Sequence, residues 1–412
     1  MRGVAPPRLR TAQAGISLVE TLVALVLGLA MVSVAFNLYV SNRAVFAQVE
    51  AMVRLQESGS IAAALLETNL RHAGGTLCRN RPPTTTLLNT TSPTTLDDYK
   101  NHNPPKPYAY WERRDGLWWA GGGLLGIHGY EQNNRQPDPI VGALRVAGDS
   151  ISIMSDNMGA VARVTGRATH TSAAGTGGLT GSYTFTVDNG TNFPVGTVAM
   201  ACDYARAVLF QVSESNASMI KLQANEGPSL SPGNCAVTMR KVAGTDPISA
   251  MDGNFSCYGG TEGQKKNGRI YTFGPGSMIG VHTFHHWYIG KKTSTDACCS
   301  LRRVRATYSS AAVGSTDEEI VENVTDMQIT YLVGSLHTDY PAKEYYMPHA
   351  DGSKNMKDKN LHFSQVTAVR IILTLTSPDK VGLAANNAAK AATYTIPINV
   401  AIRDRMPGVV RR

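Results

Sequence analysis

The chain of 412 residues is long enough for two or three domains, and its composition, 42% hydrophobic and 17% charged, is that of a globular protein with a sizeable core. The formal net charge of +8 is a weak basic bias. No run of lysine or arginine is longer than two residues. This argues against a nucleic-acid-binding protein, because such proteins concentrate their positive charge in patches.

The longest apolar stretch runs from Ile16 to Val40 and contains a single charge, Glu20. As a helix, these 25 residues would extend about 38 Å, at about 1.5 Å per residue. That length is enough to cross a hydrocarbon core of about 30 Å. Arg2, Arg8 and Arg10 precede the stretch and favour a cytoplasmic N-terminus. We therefore expect one membrane span.

The position of Glu20 within this span needs an explanation, because an ionisable group inside a bilayer costs on the order of 2.5 to 3.5 kcal/mol and normally has a partner. Cleavage after Gly15 would create an α-amino group on Ile16, one turn away from Glu20. The amine of a neighbouring subunit could reach the same carboxylate. The alternative is an ordinary signal peptide that is cut after Ser33-Val34-Ala35, but it leaves Glu20 unexplained.

Gly15, the basic residues before it, the apolar residue after it and Glu20 five positions on resemble the class III signal of type IV pilins and pseudopilins. In that family a membrane-embedded prepilin peptidase cuts after the glycine and methylates the new N-terminus. The resemblance implies cleavage between Gly15 and Ile16, methylation of Ile16, and an assembly charge pair made by Glu20. The usual first mature residue of the family is Phe, whereas this chain has Ile16.

Residues 41–74 continue the helical pattern in amphipathic form. Glu50 with Arg54 and Glu67 with Arg71 have the spacing of favourable pairs on a helix surface. Gly74-Gly75 is typical of a helix end, because glycine readily adopts positive φ. The apolar residues predicted to share one face are Val45, Val49, Met52, Leu66 and Leu70.

Beyond residue 75 the sequence is rich in strand patterns and poor in helical ones. The predicted strands include 143–146 and 150–154 around a Gly148-Asp149 turn, 183–187 before a hairpin turn at Asn189-Gly190, 207–213, 219–223, 270–273, 278–289, 301–307, 320–324, 327–333, 366–376 and 393–403. The pattern predicts an α+β fold, in which the long N-terminal helix packs on a mostly antiparallel, β-rich, pilin-like domain.

Several segments in the later part of the chain resemble PilW-type minor pilins. These are 73–75 with Cys78, 202–204, 209–212, 288–290, 301–303, 319–331, 366–371 and 402–405. The resemblance implies four parts: a leader at 1–15, a membrane or pilus-core helix at 16–40, an amphipathic continuation at 41–74, and a periplasmic domain at 75–412. Relative to that family, the chain has insertions near 82–135 and 165–182.

Six cysteines follow the span: Cys78, Cys202, Cys235, Cys257, Cys298 and Cys299. A periplasmic location favours disulfides, and six cysteines allow fifteen connectivities. We expect Cys202 to pair with Cys235, and Cys257 to pair with Cys298 or Cys299. A zinc site is disfavoured because no Cys-x-x-Cys spacing is present.

Three histidines, His282, His285 and His286, lie close together in sequence. In a strand, His282 and His286 would share a face and His285 would point away, so we expect ordinary strand histidines and no metal site. No motif of a hydrolase, metalloprotease or phosphate-binding loop is present. We expect neither an enzyme nor a cofactor.

The resemblance implies a minor pilin that helps to initiate or assemble type IV pili in a tip or priming complex. The implied partners are other minor pilins, the major pilin, the prepilin peptidase and the inner-membrane assembly platform with its ATPases, with a tip adhesin as a further candidate. The alternatives are a type II secretion pseudopilin of the J kind, and a membrane-anchored adhesin or DNA-uptake component that uses residues 100–135. The expected location is the inner membrane with a periplasmic domain, and then the pilus.

Overall fold

The structure is a computed structural model of the chain. It describes residues 17–75, 77–78, 85–86, 126–130, 132, 138, 140–172, 181–204, 207–224, 230, 233–234, 237, 272–291, 293, 299–309, 313–333, 345–347, 366–381 and 390–403.

One long helix and sixteen strands make up the described secondary structure. The helix α1 is Leu18–Arg71. The strands are β1 Thr85–Thr86, β2 Ile127–Tyr130, β3 Arg145–Arg163, β4 Thr169–Ser172, β5 Gly181–Thr186, β6 Val198–Cys202, β7 Ala207–Gln211, β8 Glu214–Asn216, β9 Met219–Ala224, β10 Met278–Gly290, β11 Ser300–Tyr308, β12 Val313–Glu322, β13 Val324–Val333, β14 Tyr345–Met347, β15 Val366–Val381 and β16 Lys390–Ala401. The predicted α+β class, with one apolar helix and mostly antiparallel sheets, is confirmed.

The chain divides into two compact units. The first comprises residues 1–54 and 377–392, and its main described element is α1 up to Arg54. The second comprises residues 55–376 and 393–412 and contains most of the sheet structure together with the last part of α1.

In the second unit, one face of α1 packs against a four-stranded sheet with the order β14-β13-β15-β16. A Cβ atom at Gly59 would lie 3.4 Å from the Tyr394 ring of β16 and 3.6 Å from Leu375 of β15. Gly59 therefore lies on the face of the helix that packs against this sheet. The buried helix residues are Leu55, Gly59, Ala62, Leu66 and Leu70.

The predicted apolar face of α1 is therefore correct at Leu66 and Leu70 and wrong at Val45 and Val49, which are each 54% exposed. The periodicity identified apolar positions, but burial begins only at Leu55. Both predicted surface ion pairs are present, Glu50 with Arg54 and Glu67 with Arg71.

Just beyond the end of the helix, Gly74 lies against Gly126. Gly74 has a φ of 72°, as predicted for a helix end, and its N–H donates to the Met154 carbonyl of β3 over 2.8 Å. A side chain at Gly126 would lie 2.2 Å from the Gly74 Cα atom. The glycines thus let the backbones of the helix end and of the segment before β2 touch.

The largest sheet, called the main sheet, has β10 at its centre. β3 pairs with one edge of β10 along most of its length, and on the other edge β6 pairs with 278–281 and β11 with 285–290. The strand order is β1-β7-β6-β10-β11-β12, with β2 beyond β3. Within the described residues, β12 is an edge strand of this sheet.

The predicted turn at Gly148-Asp149 is wrong, because β3 is continuous from Arg145 to Arg163. Gly148 has a φ of 63°, and the pairing of β3 with β10 shifts register nearby. A Cβ atom at Gly148 would lie 2.6 Å from the Met327 nitrogen of β13. The glycine marks a bulge at which β13 packs against β3. In the sequence, a glycine at a bulge resembles a glycine at a turn.

A third sheet has the order β4-β5-β9-β8. The hairpin expected at Asn189-Gly190 is wrong, because β5 pairs with β4 and β9 and not with the strand that follows it. This sheet contributes to a core of aromatic and aliphatic side chains: Tyr183, Phe185, Phe193, Phe210, Ile220, Leu222 and Phe273.

Cys202 is bonded to Cys78, so the predicted pairing of Cys202 with Cys235 is wrong. The N–H of Leu77 donates to the Asp156 carboxylate of β3 over 3.2 Å, and this holds the segment after the helix near the sheet. The Cα atoms of Cys78 and Cys202 are 5.7 Å apart, although 124 positions separate them in sequence. Cys299 is also disulfide-bonded; Cys235, Cys257 and Cys298 lie outside the described residues.

Candidate functional site: the apolar half of the helix

The first turns of α1 present an apolar surface with one charge. Residues 17–40 are exposed throughout, and Glu20 is the one charged residue among them. Within the described part of the chain, α1 is the one helix that is long and apolar enough to cross a membrane. An exposed apolar cylinder of this length needs lipid or other apolar helices around it.

Glu20 lies in the first described turn of the helix. The backbone N–H of Thr21 donates to the Ser17 carbonyl over 3.1 Å, and the Thr21 hydroxyl donates to the Leu18 carbonyl over 2.9 Å. The acid therefore lies where the helix dipole favours negative charge. Gly15 and Ile16, the predicted cleavage and methylation residues, lie outside the described residues, so these assignments stay predictions.

The apolar surface of α1 continues past the predicted end of the span. Val45, Phe46, Val49 and Val53 are all exposed, and Phe46 is 74% exposed. These residues alternate with charged ones, including Glu50 and Arg54. The helix thus has additional apolar surface available for contact outside the bilayer.

The structure also brings together a polar cluster that sequence reasoning missed. The His286 Nε2 atom of β10 lies 3.0 Å from Asp138 Oδ2, and its Nδ1 atom lies 3.0 Å from the Ser152 hydroxyl of β3. The Ser150 hydroxyl donates to the same Asp138 oxygen. The guanidinium of Arg145 lies 3.9 Å from it.

Burial alone would raise the pKa of Asp138, but attraction to His286 and hydrogen bonds from His286 and Ser150 outweigh burial and hold the pKa well below its usual value. Asp138 therefore stays ionised. Two backbone N–H groups, those of Ile140 and Val141, also donate to it. The carboxylate thus joins a connecting segment to the face of the main sheet.

This cluster has the residue types of a Ser-His-Asp hydrolase but not its geometry. In such enzymes the serine contacts Nε2 of the histidine and the aspartate contacts Nδ1, whereas His286 has the opposite arrangement. Ser152, His286 and Asp138 are buried. The cluster is a structural anchor. It could not be predicted from a local sequence pattern, because Asp138 lies 148 positions before His286.

The predicted alternation of the three histidines is confirmed. His282 and His286 are buried on one face of β10, and His285 is partly exposed on the other. Within the described ranges, no group of three or more His, Cys, Asp or Glu side chains is arranged to hold a metal ion.

Strands β11 and β12 are joined by ion pairs. Arg302 Nε lies 3.2 Å from Asp317 Oδ1, and Arg303 Nη2 lies 2.6 Å from Glu318 Oε2. Arg305 Nη2 lies 3.1 Å from the other oxygen of Glu318. Of the family-like segments predicted from sequence, 301–303 lies on β11, and 319–331 begins on the adjacent strand β12 and continues into β13.

The described structure combines mostly antiparallel sheets with one long helix whose first half is apolar and exposed. This arrangement is consistent with the pilin-like class of folds, and the apolar helix fits a single membrane anchor. A family model described as type IV pilus-assembly protein W matches residues 286–405. The match supports a PilW-type pilus protein, and over these residues it confirms the resemblance seen in the sequence. The match covers the end of β10 and all of β11 to β16. No curated protein and no solved structure matches the chain.

Proposed function

We propose that this pilus protein is a minor pilin that helps to initiate or assemble type IV pili, in a tip or priming complex with other minor pilins. The observation that carries the proposal is the exposed apolar helix with Glu20 as its one charge between residues 17 and 40. The match to the pilus-assembly family supports a pilus role over a secretion role. The proposed partners are other minor pilins, the major pilin, the prepilin peptidase and the assembly platform.

The proposed mechanism depends on two free-energy terms, the transfer of the apolar helix and the pairing of Glu20. Moving an apolar helix from lipid into a bundle of helices is nearly neutral, because both surroundings are apolar. The carboxylate of Glu20 is costly in lipid and gains a partner when the terminal amine of a neighbouring subunit approaches. A free α-amino group has a pKa of about 7.7 to 8.0 and is largely charged at neutral pH. The charge pair therefore favours association in register.

Maturation is tested by the mass of the N-terminal peptide, measured in cells with and without the prepilin peptidase. We expect a peptide that begins at Ile16 and carries one methyl group only when the peptidase is present. A mature N-terminus at Phe36 would instead indicate an ordinary signal peptide, and a retained leader in piliated cells would overturn the proposal.

The charge pair is tested by Glu20→Ala. We expect normal cleavage but at least about tenfold fewer surface pili, because an unpaired amine then remains in the apolar bundle. The matched control is Glu50→Ala, which removes an exposed acid of the same helix and should leave piliation unchanged. Normal piliation in Glu20→Ala would contradict the mechanism.

Intact piliation together with lost protein secretion in a deletion strain would favour a pseudopilin.

A further inference from the structure

Strand β12 is an open edge of the main sheet. Within the described part of the chain it pairs with β11 on one side only. Gly314, Ser315, Thr316 and Asp317 are all exposed. The strand contains no proline. Its pairing with β11 shifts register between residues 319 and 321, so that Ile320 has no partner residue on β11. Residues 313–319 therefore form a regular extended stretch whose outer edge pairs with no other strand of the described part of the chain.

Protein edge strands are commonly protected by charged side chains that block another strand. Here the charges are drawn back toward β11. Asp317 accepts hydrogen bonds from Arg302 and from the Tyr288 hydroxyl, the latter over 2.9 Å. Glu318 is held by Arg303 and Arg305. The ion pairs hold β12 in an extended form against β11, while Asp317 and Glu319 remain partly exposed.

The two faces of this edge differ in charge, because neighbouring residues of a strand point to opposite faces. On one face Asp317 and Glu319 are 30% and 46% exposed, while their partner Arg302 is only 2% exposed. This face presents net negative charge to solvent. On the other face the single acid Glu318 is shared by two arginines, and that face is net positive.

We propose that β12 is a docking edge that accepts an extended segment of a different protein as an added strand, with lysine or arginine at alternate positions facing Asp317 and Glu319, and neutral or acidic residues between them. Backbone hydrogen bonds would supply affinity, and the two charged faces would select the sequence and its register.

A second copy of the chain does not fit this edge. Antiparallel pairing of β12 with its own copy about an axis normal to the sheet keeps each face on the same side. The register that pairs all of residues 313–319 with the copy puts Asp317 on the diagonal from the copy's Asp317, and a register centred on residue 317 or 318 puts acids directly opposite each other. Like charges across strands are destabilising. The charge pattern therefore favours a different protein as the occupant.

The test measures binding of synthetic seven-residue peptides to the full chain in detergent micelles. In the lysine peptide, threonine and valine alternate with lysine. In the glutamate peptide, which is the charge control, they alternate with glutamate. We expect the lysine peptide to bind, to slow hydrogen exchange of the amides of residues 313–319, and to bind more tightly than the glutamate peptide. Two further lysine peptides are methylated on alternate backbone nitrogens, one on each strand edge. Strand addition requires that one of them loses binding and the other keeps it.

Variants of β12 give an independent reading. Glu319→Lys should weaken the lysine peptide at least about fivefold and strengthen the glutamate peptide, because attraction across the strands becomes repulsion. Glu319→Gln leaves Arg302 paired with Asp317 and should give a smaller loss of affinity for the lysine peptide. It replaces Glu319→Lys in the test if that variant misfolds. The control Glu214→Lys makes the same charge change in β8 and should have no effect.

Equal binding of both methylated peptides would show adsorption by charge alone and overturn the proposal. Absence of binding by the lysine peptide, or equal binding of the glutamate peptide, would overturn it as well.

Discussion

Single buried polar residues show how the main sheet is held together. His286 is satisfied at both ring nitrogens, by Asp138 and by Ser152, and this explains how a fully buried histidine is tolerated. His285 lies on the opposite face, where burial, followed by the nearby charges of Arg303 and Arg305, lowers its pKa from 6.5 to about 4. The two histidines are neighbours in sequence, but their environments differ because a strand alternates its faces.

The lowered pKa of His285 predicts a pH dependence of stability. Between pH 6.5 and 4 the unfolded chain binds a proton at this position and the folded chain does not, so stability falls as the pH drops through this window. His285→Gln should remove this contribution, about 2 kcal/mol at pH 5. The measurement is urea unfolding of the detergent-solubilised protein at pH 7 and pH 5.

The control for His285→Gln is His72→Gln, which changes an exposed histidine. If both variants lose the same stability between pH 7 and pH 5 as the unmodified protein, His285 does not carry the predicted effect.

Among the elements, α1 combines two surfaces along one continuous helix. Its first half exposes apolar side chains on all sides, and its last turns bury one narrow face that includes Gly59 and Leu66. The first surface suits lipid or a bundle of helices. The second supplies the packing that joins the helix to the β-rich part of the protein.

Two adjacent leucines in the last turns of α1 lie on its buried side and on its more exposed side. Leu66 is fully buried and Leu65 is 36% exposed. Leu66→Ala should lower the free energy of unfolding by about 2 to 5 kcal/mol, because it removes buried methyl groups and leaves a cavity. Leu65→Ala, the matched control, should cost less than about 1 kcal/mol. Equal losses, measured by thermal unfolding, would contradict the packing described for this face.

For the molecule as a whole, long-range connections decide the arrangement of the second unit. The disulfide from Cys78 to Cys202 ties the segment after the helix to β6, and Asp138 ties a connecting segment to β10. Each connection joins residues more than 100 positions apart in sequence. The disulfide also persists in the unfolded chain and restricts it, because it closes a long loop.

Removing the disulfide with Cys78→Ala and Cys202→Ala together should lower the free energy of unfolding by about 2 to 5 kcal/mol. Each single variant should lose nearly the same amount, because either change breaks the same bond. The loss is measured by thermal unfolding of the oxidised protein. Additive losses from the two single variants would show that the side chains, and not the bond between them, carry the stability.

Local patterns were sufficient for several features. The apolar run with Glu20, the helix end at Gly74, and the strands β10 and β11 were all predicted from periodicity and residue type, because each depends on neighbours within a few positions. The order of short segments also predicted the PilW resemblance. These are the parts of the protein for which nearby residues determine the conformation.

Contacts between distant residues required the tertiary structure. Apolar periodicity placed Val45 and Val49 on a buried face, but only the packed sheet shows that burial begins at Leu55. Gly148 resembled a turn in the sequence and proved to be a bulge against β13. The partner of Cys202, the buried anchor of His286 and the open edge at β12 depend on which segments meet after folding, and a single sequence contains no local signal for that meeting.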